Sequence, residues 1–158
     1  ALDTGLKRGG AVRDIGALLD WIAQEPGLDS SRVLVMGGSY GGYMTLMVAT
    51  AYDARVCCSI DVVGISNLRT FLENTSSYRR DLRRVEYGDE RDPALREFME
   101  RTAPANNASR ITRPLLVIAW YLLDGDEGHG AGKKANADFQ FHVMAEFVRR
   151  HLIGVGTP

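Results

Sequence analysis

Apolar residues recur at helical spacing near the start of the chain. Val12, Ile15, Leu18, Leu19 and Ile22 fall on one face, so residues 11–24 are expected to form an amphipathic helix. Pro26-Gly27 ends it, and Asp29-Ser30-Ser31 makes a turn. The pattern then changes. Arg32 to Met36 is a short, nearly continuous apolar run, as in a strand buried on both faces. The segment Gly37-Gly38-Ser39-Tyr40-Gly41-Gly42 follows at once, Tyr43 to Ala51 reads as a helix, and Val56 to Val63 reads as a second buried strand. Helix, strand, helix, strand with short connections predicts an α/β domain with a parallel sheet.

Residues 64–110 are more polar. Arg79, Arg80, Arg83 and Arg84 are interleaved with Asp81, Leu82 and Glu86, the pattern of a solvated helix face rather than a nucleic-acid patch. Asp92-Pro93 starts a further helix with Leu95, Phe98 and Met99 on one side, and Pro104 closes it. Leu115 to Leu123 is strand-like, and Asp124 to Gly132 is a glycine-rich loop that carries His129. From Asn136 to Leu152, Phe141, Met144, Val148 and Leu152 form a helical stripe. No repeat or linker interrupts the chain, so residues 1–158 are expected to form one domain.

Composition narrows the partners. The chain has 158 residues, 45% of them hydrophobic and 25% charged, and a net charge of −1. That mix suits a globular domain, and no global field points to nucleic acid or an anionic membrane. The longest apolar run, Leu115 to Leu123, falls well short of the roughly twenty residues that span a bilayer. No signal-peptide pattern opens the chain, whose first residue is Ala rather than Met. Cys57 and Cys58 are adjacent, so in an extended strand they point to opposite faces and are not expected to pair. They belong to no metal pattern. No metal or other cofactor is expected, and a reducing, cytoplasmic setting fits.

The chemistry is expected in the strand–turn–helix. Gly37-Gly38-Ser39-Tyr40-Gly41 is a Gly-x-Ser-x-Gly sequence placed directly between a predicted strand and a predicted helix. A serine on such a sharp turn is lifted above the carboxyl end of the sheet. Side chains two residues before and after it are expected to clash, which accounts for glycine at both sites. The Tyr40 N–H, at the start of the helix, can donate to an oxyanion. No Lys follows the glycines, which excludes a P-loop, and no acidic residue closes a second strand at the dinucleotide spacing. A serine hydroxyl needs a base. His142 and His151 lie beside the stripe of the last helix and read as surface residues. His129, in Glu127-Gly128-His129-Gly130, lies in a loop between a strand and the final helix, where the Ser…Asp…His order places the base.

These segments resemble the C-terminal catalytic part of the prolyl oligopeptidase family, in particular its acylaminoacyl-peptidase and dipeptidyl-peptidase-type members. The resemblance is carried by Asp14-Ile15 through Trp21-Ile22, by Arg32 through Tyr43, by Ala103-Pro104 through Ile118, and by Asp126 through Gly130. It implies an α/β-hydrolase fold, Ser39 as nucleophile and His129 as general base. Two departures stand out. Family members carry a large N-terminal domain and further sheet strands, from which one oxyanion donor comes, so Tyr40 is the one donor the resemblance carries over. After Ile118, the segment that holds the catalytic aspartate in the family is missing; the nearby carboxylates are Asp124, Asp126 and Glu127, of which Asp126 is the best substitute acid.

The expected fold is therefore a cut-down α/β hydrolase, a small parallel sheet flanked by helices. Parallel strands need a crossover. Without one, Leu115 to Leu123 should run as one long strand or cross between subunits. Domain swapping and a homodimer or higher homo-oligomer are expected from that shortened connection and from the open strand edge. The first functional reading is a hydrolase of small carboxylic esters acting through an acyl-enzyme on Ser39. The alternatives are a serine peptidase of the prolyl oligopeptidase type, acting on peptides, and an inactive remnant kept as an assembly module.

Overall fold

The computed structural model describes residues 4–119 and 133–154. Helix α1 (Gly9–Gln24) leads into β1 (Leu34–Gly38), and α2 (Tyr40–Ala51) begins two residues after β1 ends. Next come β2 (Cys58–Val62), α3 (Leu68–Asn74), α4 (Ser77–Tyr87), α5 (Pro93–Thr102), β3 (Leu115–Ile118) and α6 (Lys134–Val148). The strands form a parallel sheet in the order β1-β2-β3, with Leu34 opposite Cys58, Gly38 opposite Val62, Ser59 opposite Leu115 and Val62 opposite Ile118. The parallel sheet is the one that the periodicity predicts, and its small size with flanking helices is that expected of a cut-down α/β hydrolase.

The central strand is the most deeply buried. Cys58, Ser59, Ile60 and Asp61 are all buried, because β2 has a neighbouring strand on each edge and α2 packed against it. Two clusters of apolar side chains hold the helices down. In one cluster Leu19, Val48 and Val56 pack together, with Ile15, Ile22 and Val33 against them, so α1 is pinned by the stripe read from the sequence. In a second cluster, further toward the start of α2, Tyr43, Leu68, Leu72, Tyr87 and Met99 join α2 to α3, α4 and α5. The start of α5 follows its local chemistry. Asp92 caps the helix, accepting from the N–H groups of Ala94 and Leu95 at 2.8 and 3.1 Å, with Pro93 next in the chain.

Several expectations change. Strand β3 stops at Ile118 and Ala119 lies outside it, so the strand is shorter than the run from Leu115 to Leu123; residues 120–123 lie outside the described residues. The stripe on α6 is weaker than its spacing implies. Phe141 is exposed and no side chain of α6 is fully buried; the β3 strand that it flanks across a cleft is only four residues long. Helix α3 is absent from the periodicity reading. At seven residues it is too short to show a period, and its visible signal is the cap, Asn67 accepting from Arg69 and Thr70. Cys57 lies one residue ahead of β2, so strand alternation does not govern it. The two sulfurs approach to 3.6 Å as unbonded thiols, and burial pushes the Cys58 thiol up to about 12.

Strand β1 pairs on one side only among the described residues, and Met36 on it is exposed, as expected for an open edge. No helix of the described residues is long and apolar enough to cross a membrane.

Candidate active site

Ser39 occupies the single residue between β1 and α2. Its φ of 56° and ψ of −117° fall outside the regions an L-residue favours. The turn is held from both directions. The Ser39 N–H donates to the Val62 carbonyl at 2.9 Å, at the carboxyl end of β2, and the Ser39 carbonyl accepts from the Tyr43 N–H at 3.1 Å, opening the helix. Tyr40 is the first residue of α2, so its N–H has no acceptor within the helix and stands at the positive end of the helix dipole.

The glycines divide the work unevenly. A Cβ on Gly37 would stand 2.5 Å from the Gly41 carbonyl carbon and 2.9 Å from its Cα, so the strand end and the first helical turn close on each other there. A Cβ on Gly41 meets nothing within 4 Å among the described residues. The expected clash on both sides of Ser39 is thus found on one side only. The second tight position is Gly42, where a Cβ would come 2.6 Å from the Gly64 Cα. Here α2 and the loop after β2 touch backbone to backbone.

Asp61 lies at that contact. It is 3% exposed, and its Oδ1 has no hydrogen-bond partner among the described residues. Burial pushes its carboxyl above the usual carboxylate range, while the nearby Gly64 N–H pulls the other way. Val63, two residues on, has a φ of 50°, a second strained position beside Ser39 and a severe one for a β-branched side chain. A raised carboxyl pKa means the folded state binds the proton more tightly than the unfolded chain. Stability is therefore lost as pH rises from the ordinary carboxylate range through the folded value. Asp61→Asn is expected to raise the melting temperature at pH 7, with the gain vanishing by about pH 3, where both states are protonated. Paired thermal melts at the two pH values check this; an equal gain at both would show that charge is not the cause.

A second support comes from the chain start. Arg8, 4% exposed, donates from Nη1 to the Tyr40 hydroxyl at 2.7 Å and from Nη2 to the Glu86 carbonyl at 2.6 Å. Its guanidinium lies over the rings of Tyr40 and Tyr87, at 5.4 and 5.1 Å from their centroids. Tyr40 stacks on Tyr43 and on Tyr87 at 5.6 and 5.8 Å, and burial pushes the Tyr43 phenol up to about 12. Among the described residues Arg8 pairs with no carboxylate, so neutral oxygens and ring faces hold a buried cation behind the first turn of α2. Sequence reasoning passed over Arg8, Asp61 and Val63. A lone acid inside the apolar run of β2 was a legible signal for Asp61; Arg8 and Val63 had none.

Ser39 opens into a cleft of about 710 Å³ between the end of β2 and the α3–α4 hairpin, with Val63, Asn67, Phe71, Arg79 and Tyr87 among its walls. No described side chain hydrogen-bonds to the Ser39 hydroxyl. The expected base and acid, His129 and Asp126, lie outside the described residues. His142 and His151 are both exposed on the last helical segment, and neither is among the residues that line the Ser39 cleft. The described residues hold no cluster of His, Cys, Asp and Glu able to bind a metal ion.

A strained serine between a parallel strand and a helix, at the carboxyl edge of the sheet, defines part of an α/β-hydrolase fold. Residues 4–120 match the model of the prolyl oligopeptidase family, and the chain belongs to that family. It is 31% identical to dipeptidyl peptidase family member 6 of Caenorhabditis elegans, over 81% of this chain and 21% of that protein. It is 32% identical to dipeptidyl aminopeptidase BIII of Pseudoxanthomonas mexicana, over 92% of this chain and 25% of that protein. The chain thus spans about a quarter or less of the relatives it matches. In fold it is similar to the acylaminoacyl peptidase of Pyrococcus horikoshii, with a TM-score of 0.74 at 20% identity, covering 93% of this chain and 28% of that one.

Proposed function

We propose that this chain is the nucleophile-bearing part of a serine peptidase. Within the proposal, Ser39 Oγ attacks the carbonyl carbon of a peptide bond as its proton passes to His129. The developing oxyanion is met by the Tyr40 N–H. His129 then returns the proton to the leaving amine, and water releases the acyl group by the same steps in reverse. Asp126, three residues before His129, would orient it.

The observation that carries this reading is Ser39 itself, strained at the strand–helix junction and open to the cleft, in a chain of the prolyl oligopeptidase family. The relatives are named as peptidases, which favours peptide bonds over the small esters of the first sequence reading. The test is a comparison of matched acyl amides and acyl esters on the purified chain, with a fluorophosphonate probe run alongside. Amide turnover that disappears in Ser39→Ala and His129→Ala is the expected result. Ester turnover with no amide turnover would restore the esterase reading, and an unlabelled wild type would leave the hydrolase-like remnant.

A further inference from the structure

We propose that the Ser39 cleft takes ligands bearing a carboxylate, and that Arg79 is the side chain that recognises it. The inference rests on the reading of this cleft as the substrate site. It comes from the arginines of α4, which differ sharply in what they hold. Arg80 donates from Nε and Nη2 to the Thr75 carbonyl at 3.0 and 2.8 Å. Arg83 donates to Glu86 at 2.7 Å and lies over the Tyr87 ring. Arg84 is wrapped around the buried Glu90, its Nε 3.1 and 3.0 Å from the two carboxylate oxygens. The guanidinium of Arg79 has no acceptor among the described residues, yet Arg79 lines the cleft into which Ser39 opens.

The lining has a sign as well. Among the described residues that line it, Arg79 and Arg83 are the charged members and none is Asp or Glu. Glu86 offsets Arg83, so among the described residues Arg79 leaves a net positive wall in a chain whose total charge is −1. A concave wall lined by one sign of charge draws ions of the opposite sign toward it. The planar guanidinium fork matches a carboxylate through paired hydrogen bonds, which an uncharged amide cannot return. In a peptide, two groups carry that chemistry, the C-terminal carboxylate and the side chain of Asp or Glu.

The experiment is a binding titration followed by NMR, which needs no turnover. One arm compares N-acetyl-Ala-Ala with its C-terminal amide. The other compares N-acetyl-Glu-Ala-amide with N-acetyl-Gln-Ala-amide. The anionic member of at least one pair is expected to bind roughly two- to fivefold tighter, less so at high salt. The pair that shows the difference identifies the source of the carboxylate. Arg79→Gln should erase the difference, while Arg80→Gln, whose guanidinium is occupied by the Thr75 carbonyl, should keep it. Equal binding within both pairs, a preference that survives Arg79→Gln, or no binding of any peptide would overturn the inference. The labelling experiment reads the nucleophile independently, so the two proposals fail separately.

Discussion

Ser39→Ala is expected to abolish fluorophosphonate labelling and to lower kcat by roughly four to six orders of magnitude. The melting temperature should hardly move, because alanine keeps the Cβ and the main-chain bonds to Val62 and Tyr43. Ser39→Gly should lose activity to the same extent and yet be more stable. Glycine tolerates a φ of 56° that costs serine energy, and the net gain is about 1 kcal/mol. For a domain of this size that is a rise of roughly 2–4 °C. The pair of melts separates strain at the turn from chemistry at the hydroxyl. If glycine gave no gain over alanine, Ser39 would not be the strained point that the backbone indicates. If labelling survived in either variant, the nucleophile would lie elsewhere.

The second large effect is structural and discriminates between two glycines of one motif. Gly37→Ala should cost about 3 kcal/mol or more, because the new methyl meets the Gly41 backbone, which cannot swing aside as a flexible side chain would. The melting temperature should fall by roughly 6–12 °C, and labelling should drop with it as β1 and α2 are forced apart. Gly41→Ala should stay within about 1 kcal/mol of wild type, since the methyl points into open space among the described residues. Thermal melts and labelling rates on both variants check this. Equal losses would mean that both flanks of Ser39 are closed, as the spacing alone suggests.

Asp61 and Arg8 show how the site is supported from positions far along the chain. Asp61 lies in the central strand and meets α2 only because that helix crosses over the loop at Gly64. Arg8 precedes α1, yet reaches Tyr40 and the Glu86 carbonyl, which are 32 and 78 positions away. Both are buried groups bearing or able to bear charge, and removing partners from such groups costs more than their contacts suggest.

Local pattern determined much of this protein. The stripe on α1, the apolar runs of β1 and β2, and the cap before α5 each place an element to within a few residues, because periodicity and capping act over a few neighbours. The Gly-x-Ser-x-Gly spacing likewise placed Ser39 between strand and helix and put Tyr40 at the helix start. The tertiary structure alone decided the rest. It fixed that Gly37 and Gly42, not Gly41, are the close-packed glycines, since a clash depends on what lies opposite in space. It closed β3 at Ile118 and left Phe141 exposed, since an apolar residue is buried only where a partner surface exists to cover it. And it separated Arg79 from Arg80, Arg83 and Arg84, four similar letters in sequence, because whether a cation is already satisfied depends on acceptors brought to it by folding.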